Sequence, residues 1–112
     1  MVVEDDATSR RALTSLLKLR GFESIHASTL AEAMQRLSWD PACVLLDLML
    51  PDGNGAAILQ YIRDNELDIR VAVTTGASNW ESMLDTKRLR PDAFFPKPID
   101  LNRLVEWLNE PG

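Results

Sequence analysis

The chain has 112 residues, enough for one hydrophobic core and too few for two ordinary domains, so residues 1–112 are expected to form a single domain. Its 46% hydrophobic and 26% charged residues are ordinary for a globular protein, and no apolar run approaches the ~20 residues that span a bilayer. A net charge of -5 opposes direct binding to nucleic acid, and a lone cysteine together with a start unlike a secretory signal leads us to expect a cytoplasmic location.

Short apolar runs alternate with amphipathic stripes five times along the chain. The runs are rich in Val, Ile, Leu or Phe and predict strands at residues 1–3, 24–27, 43–46, 71–73 and 93–95. The stripes place mostly apolar residues three and four apart, as on one face of a helix. They are Leu13, Leu16 and Leu17; Leu30, Ala33, Met34 and Leu37; Ile58, Leu59 and Ile62; Trp80, Met83, Leu84 and Lys87; and Leu101, Leu104, Val105 and Leu108. Because strands separated by helices cannot pair as hairpins, we predict a doubly wound α/β fold, with a five-stranded parallel sheet and helices on both faces.

Two of the predicted helices have recognisable capping residues at their starts. Thr29 and Glu32 fit a capping box before the second helix. Asp100 precedes the last stripe, where an N-cap carboxylate would accept amide hydrogen bonds. Both signals support helices where the stripes predict them.

Polar residues follow four of the five predicted strands, at the edge where the loops of such a fold build its functional site. They are Glu4, Asp5 and Asp6 after the first strand, Asp47 after the third, Thr74, Thr75 and Gly76 after the fourth, and Lys97 after the fifth. Carboxylates about 4 Å apart repel by roughly 4 kcal/mol at an effective dielectric near 20, so the acidic cluster needs a cation. Oxygen ligands with no His or Cys nearby favour magnesium. Asp47 is then a candidate nucleophile towards a phosphoryl donor, with Thr75 and Lys97 to hold the transferred oxygens.

The segments VVEDD, LLDLMLPDGNG, VAVTTG and FFPKP resemble those of bacterial response-regulator receiver domains, and the resemblance covers essentially the whole chain. It implies a (βα)5 flavodoxin-like fold with strand order 2-1-3-4-5. It also implies a role in two-component signal transduction, with a sensor histidine kinase or phosphotransfer protein as the source of the phosphoryl group. Such a domain catalyses its own phosphorylation and dephosphorylation but is primarily a signalling switch.

The resemblance also implies a role for individual residues. Asp47 resembles the phosphorylated aspartate, Asp5 the direct magnesium ligand, Glu4 the outer acidic partner acting through water, and Met49 the residue whose backbone carbonyl binds the metal. Thr75 resembles the switch hydroxyl, Lys97 the lysine that contacts the phosphoryl group, and Phe94 the aromatic residue that turns inward on activation. The Lys97–Pro98 bond is expected to be cis.

Two assignments stay open between neighbouring residues. The acidic pair is either Glu4 with Asp5 or Asp5 with Asp6, and the distance to the two arginines of the first helix favours the former. The switch hydroxyl is either Thr74 or Thr75, and the spacing from the lysine and the glycine that follows favour Thr75.

The expected readout surface is the fourth helix, the fifth strand and the fifth helix, where an effector domain or separate partner would bind. Trp80 lies on the apolar stripe of the fourth helix and is a core candidate. Trp107 lies about 110° from the centre of its stripe, so it is a candidate for exposed partner contact. The sequence leaves open the kinase, the effector and homodimerisation.

Three other functions fit parts of the pattern. A flavin or nucleotide binder needs a phosphate cradle after the first strand, and no G-x-x-x-x-G-K occurs. Metal-dependent aspartyl phosphatases have a D-x-D motif. Here Asp47 is followed by Leu48 and Met49, so the second aspartate of that motif is missing. The remaining alternative is a degenerate receiver that serves as a phosphorylation-independent interaction module, and the complete set of site residues argues against it.

Overall fold

The computed structural model describes residues 1–76 and 89–111. Its strands are β1 (Val2–Val3), β2 (His26–Ala27), β3 (Cys43–Asp47), β4 (Met49–Leu50), β5 (Gly53–Asn54), β6 (Arg70–Thr75) and β7 (Ala93–Pro96). Its helices are α1 (Ala7–Leu19), α2 (Leu30–Arg36), a 3-10 turn (Leu37–Trp39), α3 (Ala56–Asp64) and α4 (Leu101–Asn109), which is the predicted fifth helix. The predicted fourth helix, with Trp80, lies outside the described residues.

Five of the strands form one parallel sheet in the order β2-β1-β3-β6-β7. Counted among themselves along the chain, these strands have the order 2-1-3-4-5, so the predicted α/β fold and strand order are confirmed. The short strands β4 and β5 pair antiparallel in a separate ladder, which the apolar runs did not predict. Two-residue strands on either side of a turn are too short to show an alternating pattern.

Both faces of the sheet are buried, which explains why its strands are nearly continuous apolar runs. Val71 and Val73 of β6 face a core formed with α2 and α3, and Ala72 faces a second core formed with α1 and α4. We call these the α2–α3 core and the α1–α4 core. Ile58, Leu59 and Ile62 are buried in the first; Leu17, Leu104 and Trp107 are buried in the second.

The predicted helix caps are present in the structure. The Thr29 hydroxyl accepts a hydrogen bond from the Glu32 amide at 3.1 Å. The Glu32 carboxylate, however, accepts from the amide of Ser28 at 2.8 Å, so the reciprocal bond of the capping box is displaced by one residue. The Asp100 carboxylate accepts from two amides in the first turn of α4, as its N-cap position predicts.

The prediction that Trp107 is exposed for partner contact is wrong, because this side chain is 8% exposed and belongs to the α1–α4 core. Its ring meets Phe95 edge-on at 6.1 Å, and the Arg70 guanidinium lies 4.4 Å from its centroid. The sheet and the Arg70 guanidinium therefore cover a wider arc of α4 than the apolar stripe alone. Among the described residues, no helix has both the length and the apolar character needed to cross a membrane.

Candidate functional site

Three carboxylates converge where β1 and β3 end. Oxygens of Glu4, Asp5 and Asp47 lie within 4.8 Å of one another. Their convergence follows from the sheet, since β1 and β3 are adjacent parallel strands and their carboxyl ends share an edge. Glu4 and Asp47 are buried, with 7% and 3% exposure, whereas Asp5 is open to solvent. An all-oxygen donor set with one accessible member fits a hard divalent cation such as magnesium.

The third acid of the run has a different position. The Asp6 carboxylate accepts a hydrogen bond from the Ser9 amide at 3.0 Å and caps α1. Hydrogen bonds from the Ser9 hydroxyl and amide lower the pKa of Asp6. Of the two pairs that the sequence left open, the geometry therefore groups Glu4 with Asp5 beside Asp47.

Lys97 connects two of the carboxylates. Its Nζ atom lies 2.8 Å from Asp47 Oδ2 and 3.0 Å from Glu4 Oε2. The loop that follows contains the cis Lys97–Pro98 bond that was predicted. The ammonium thus stands between two buried negative charges at the sheet edge.

The electrostatics of this pair of contacts show in two pKa values. Burial, followed by a hydrogen bond shared with Asp47, raises the pKa of Glu4, and the Lys97 ammonium opposes the rise. Partial burial lowers the pKa of Lys97, but its hydrogen bonds to Asp47 and Glu4 outweigh that effect and raise it overall. One ammonium, shared by two carboxylates, therefore offsets part of the negative charge of the site.

The loop after Asp47 is fastened at several points. The Met49 amide donates to Asp47 Oδ1 at 2.9 Å, which places the Met49 peptide beside the carboxylate. A Cβ atom on Gly55 would lie 2.3 Å from the backbone oxygen of Asp47. The Asp52 carboxylate accepts from the Leu30 amide at 2.7 Å, and so ties the β4–β5 turn to the start of α2. Sequence reasoning assigned Asp52 to a turn; its bond to a helix 22 residues away has no local signal.

The two candidate hydroxyl residues end β6 and are both buried. The Thr75 carbonyl accepts from the Lys97 amide at 3.4 Å. Thr74 is in register with Asp47 on the neighbouring strand. Because side chains alternate along a strand, the two threonines point to opposite faces of the sheet. Phe94 is half-buried and packs against the α2–α3 core.

Comparison with known proteins gives a consistent family. The family model described as response regulator receiver domain matches residues 1–109. The chain is 29% identical over 114 residues to the acid tolerance regulatory protein ActR of Rhizobium meliloti strain 1021, covering all of this chain and 59% of ActR. It is 29% identical over 109 residues to the phosphate regulon transcriptional regulatory protein PhoB of Escherichia coli K12, covering 94% of this chain and 47% of PhoB. The crystal structure of a response regulator receiver protein from Pseudomonas putida aligns with a TM-score of 0.84 and 30% identity, covering 96% of this chain and 92% of that one.

Proposed function

The chain belongs to the response regulator receiver family, and from that premise we propose that residues 1–112 act as one receiver domain, which accepts a phosphoryl group on Asp47. One observation carries the proposal. The Asp47 carboxylate is buried at the sheet edge between the Lys97 ammonium and two further carboxylates. This arrangement concentrates a nucleophile, a phosphate-binding cation and metal-binding oxygens within one site.

We assign the metal-binding roles to Asp5, Asp47 and the Met49 carbonyl, with Glu4 acting through water. Bound to these residues, magnesium would supply positive charge that offsets the carboxylates and the phosphoryl oxygens. The oxygen-only donor set supports this assignment. The raised pKa of Glu4 supports it too, because the cluster disfavours its own negative charge.

The reaction moves a phosphoryl group from a donor histidine to Asp47. A bond forms between phosphorus and an Asp47 carboxylate oxygen while the bond from phosphorus to the donor nitrogen breaks, and the nitrogen keeps the electron pair. Asp47 Oδ1 is held by the Met49 amide, which orients the carboxylate for attack. The contact between Lys97 and Asp47 Oδ2 supports a role for its ammonium in binding an oxygen of the transferred phosphoryl group.

The switch that follows involves Thr75 and Phe94. A phosphoryl oxygen offers the Thr75 hydroxyl a charge-assisted hydrogen bond, which vacates space for Phe94 to turn inward. Moving the equilibrium between the two states of the switch from 1:99 to 99:1 takes about 5.5 kcal/mol. One charge-assisted hydrogen bond contributes roughly 1.5 to 3 kcal/mol, so the Lys97 contact must contribute as well. NMR shifts induced by beryllofluoride should extend from Thr75 to Trp107 and shrink in Thr75→Ala. Shifts confined to the surroundings of Asp47 would contradict this switch.

The partners follow from the same chemistry. The donor is a sensor histidine kinase or a phosphotransfer protein, and the recipient of the signal is an effector domain or a separate protein. The chain spans 59% of ActR and 47% of PhoB, which leaves room in those relatives for further domains. On α4, the side chains open to such a recipient include Arg103 and Glu106, since Trp107 is buried.

The test is the intact mass after incubation with acetyl phosphate or phosphoramidate. We expect the wild type to gain one phosphoryl group when magnesium is present and none when it is omitted. Asp47→Asn should lose the gain and Asp52→Asn should keep it, because Asp52 lies in the same loop but binds α2. A wild type that gains no mass from either donor would instead be a phosphorylation-independent interaction module.

A further inference from the structure

The hydroxyl of Thr74 differs from the other buried polar groups of the described residues. Within residues 1–76 and 89–111, Thr74 Oγ1 is the buried side-chain polar atom that lacks a hydrogen-bond partner. The residue is 3% exposed. An unpaired buried hydroxyl destabilises a protein, whereas valine has nearly the same shape, favours strands and avoids that cost. The hydroxyl therefore remains available to donate to a group that binds at the site.

The strand register places Thr74 beside the phosphoacceptor. Thr74 pairs with Asp47 on β3 and with Phe95 on β7. Residues in register on adjacent strands point to the same face, about 4.8 Å apart. Thr74 thus shares a sheet face with Asp47, whereas Thr75 is the last residue of β6 and lies at the sheet edge itself.

Thr74 also lines a groove that reaches two charged groups of the site. The groove, of about 530 Å³, lies between α1 and residues 97–99, and Glu4 and Lys97 line it together with Thr74. Its other walls are largely apolar, with Leu13 and Ile99 among them. A polar group among apolar walls interacts strongly with any charge that approaches it.

We propose that Thr74 is a second hydroxyl of the phosphoryl-transfer site, and that it makes its hydrogen bond only when Asp47 carries the metal and the phosphoryl group. The inference rests on the proposed function. The Lys97 ammonium donates hydrogen bonds to Asp47 and Glu4. Loading the site adds oxygens, either of the phosphoryl group or of metal-bound water, and Thr74 donates to one of them. A bond made only in the loaded state favours that state selectively.

The test compares Thr74→Val, which removes the hydroxyl, with Thr74→Ser, which keeps it. Without metal, the melting temperature of Thr74→Val should be about 4 °C higher than that of the wild type, because an unpaired hydroxyl is gone. The affinity for beryllofluoride in saturating magnesium should fall about tenfold in Thr74→Val, the effect of one charge-assisted bond, and about twofold or less in Thr74→Ser. Thr74→Ala also lacks the hydroxyl and should show the same tenfold loss.

Two arms of the titration identify the oxygen. If magnesium alone also binds about tenfold more weakly to Thr74→Val, the acceptor belongs to the metal's water; if only the beryllofluoride affinity falls, it belongs to the phosphoryl group. Unchanged affinities in both Thr74→Val and Thr74→Ala would overturn the inference. A wild type that does not respond to beryllofluoride and magnesium would instead overturn the proposed function.

Discussion

Replacing Lys97 by methionine should tighten magnesium binding and, under the proposed function, slow phosphoryl transfer. The Lys97 ammonium forms salt bridges with Asp47 Oδ2 at 2.8 Å and with Glu4 Oε2 at 3.0 Å. A cation that enters the acidic cluster competes for the same carboxylate oxygens. Methionine keeps most of the apolar stem of lysine, so the substitution mainly deletes the competing charge.

The geometry sets the size of the effect. At an effective dielectric of about 20, each contact of Lys97 near 3 Å contributes about 5.5 kcal/mol, and each pair of carboxylates at most 4.8 Å apart repels by at least about 3.5 kcal/mol. Summed over two attractive contacts and three repelling pairs, the attraction and the repulsion nearly offset each other. The Lys97 side chain is 34% exposed, so solvent screening reduces the cost of displacing its ammonium from the two carboxylates to about 2 kcal/mol. Magnesium affinity should rise between about tenfold and a hundredfold.

Calorimetric titration of magnesium chloride at constant ionic strength measures this change. Lys18→Met is the matched control, because Lys18 is an exposed residue of α1 and its loss changes the net charge equally. The metal-free Lys97→Met protein should also melt earlier than the control, since its carboxylates lose their ammonium. If Lys97→Met binds magnesium no more tightly than Lys18→Met, the lysine does not compete with the metal and the reasoning fails.

Three further substitutions probe the site. Because burial and the hydrogen bond shared with Asp47 raise the pKa of Glu4, the fold disfavours its charge, and Glu4→Gln should melt later than the wild type in metal-free neutral buffer. That gain should vanish below the ordinary pKa of 4.5, where Glu4 is protonated in both the folded and unfolded states; a gain independent of pH in calorimetric scans would contradict the assignment. Gly55→Ala should lower the free energy of unfolding, measured in urea, by about 1 to 3 kcal/mol, because its Cβ atom would clash with a backbone oxygen. Gly76→Ala is the control and should leave that free energy unchanged, because a Cβ atom there has open space around it. Arg10 donates to the Glu4 carbonyl at 2.9 Å and Arg11 is exposed, so Arg10→Gln should weaken magnesium binding about fivefold relative to Arg11→Gln, and equal affinities would exclude a positioning role.

The sequence by itself determined the alternation of strands and helices, and with it the edge at which the acids, the threonines and the lysine meet. The spacing of apolar residues is a property of short segments, so each strand and helix could be predicted from a few neighbouring residues. Asp47 and Lys97 could be chosen because both directly follow strands that end at the same edge. The strand order came from the resemblance to receiver domains.

Only the tertiary structure decided the contacts between residues that are far apart in the chain. It gave Lys97 two carboxylate partners, placed the Asp52 carboxylate at the start of α2, and buried Trp107 under Arg70. It also put Thr74 on the face of Asp47. Each of these depends on strand register and on how a helix packs across the sheet, and both are fixed by the sum of many distant contacts that no short stretch of sequence records.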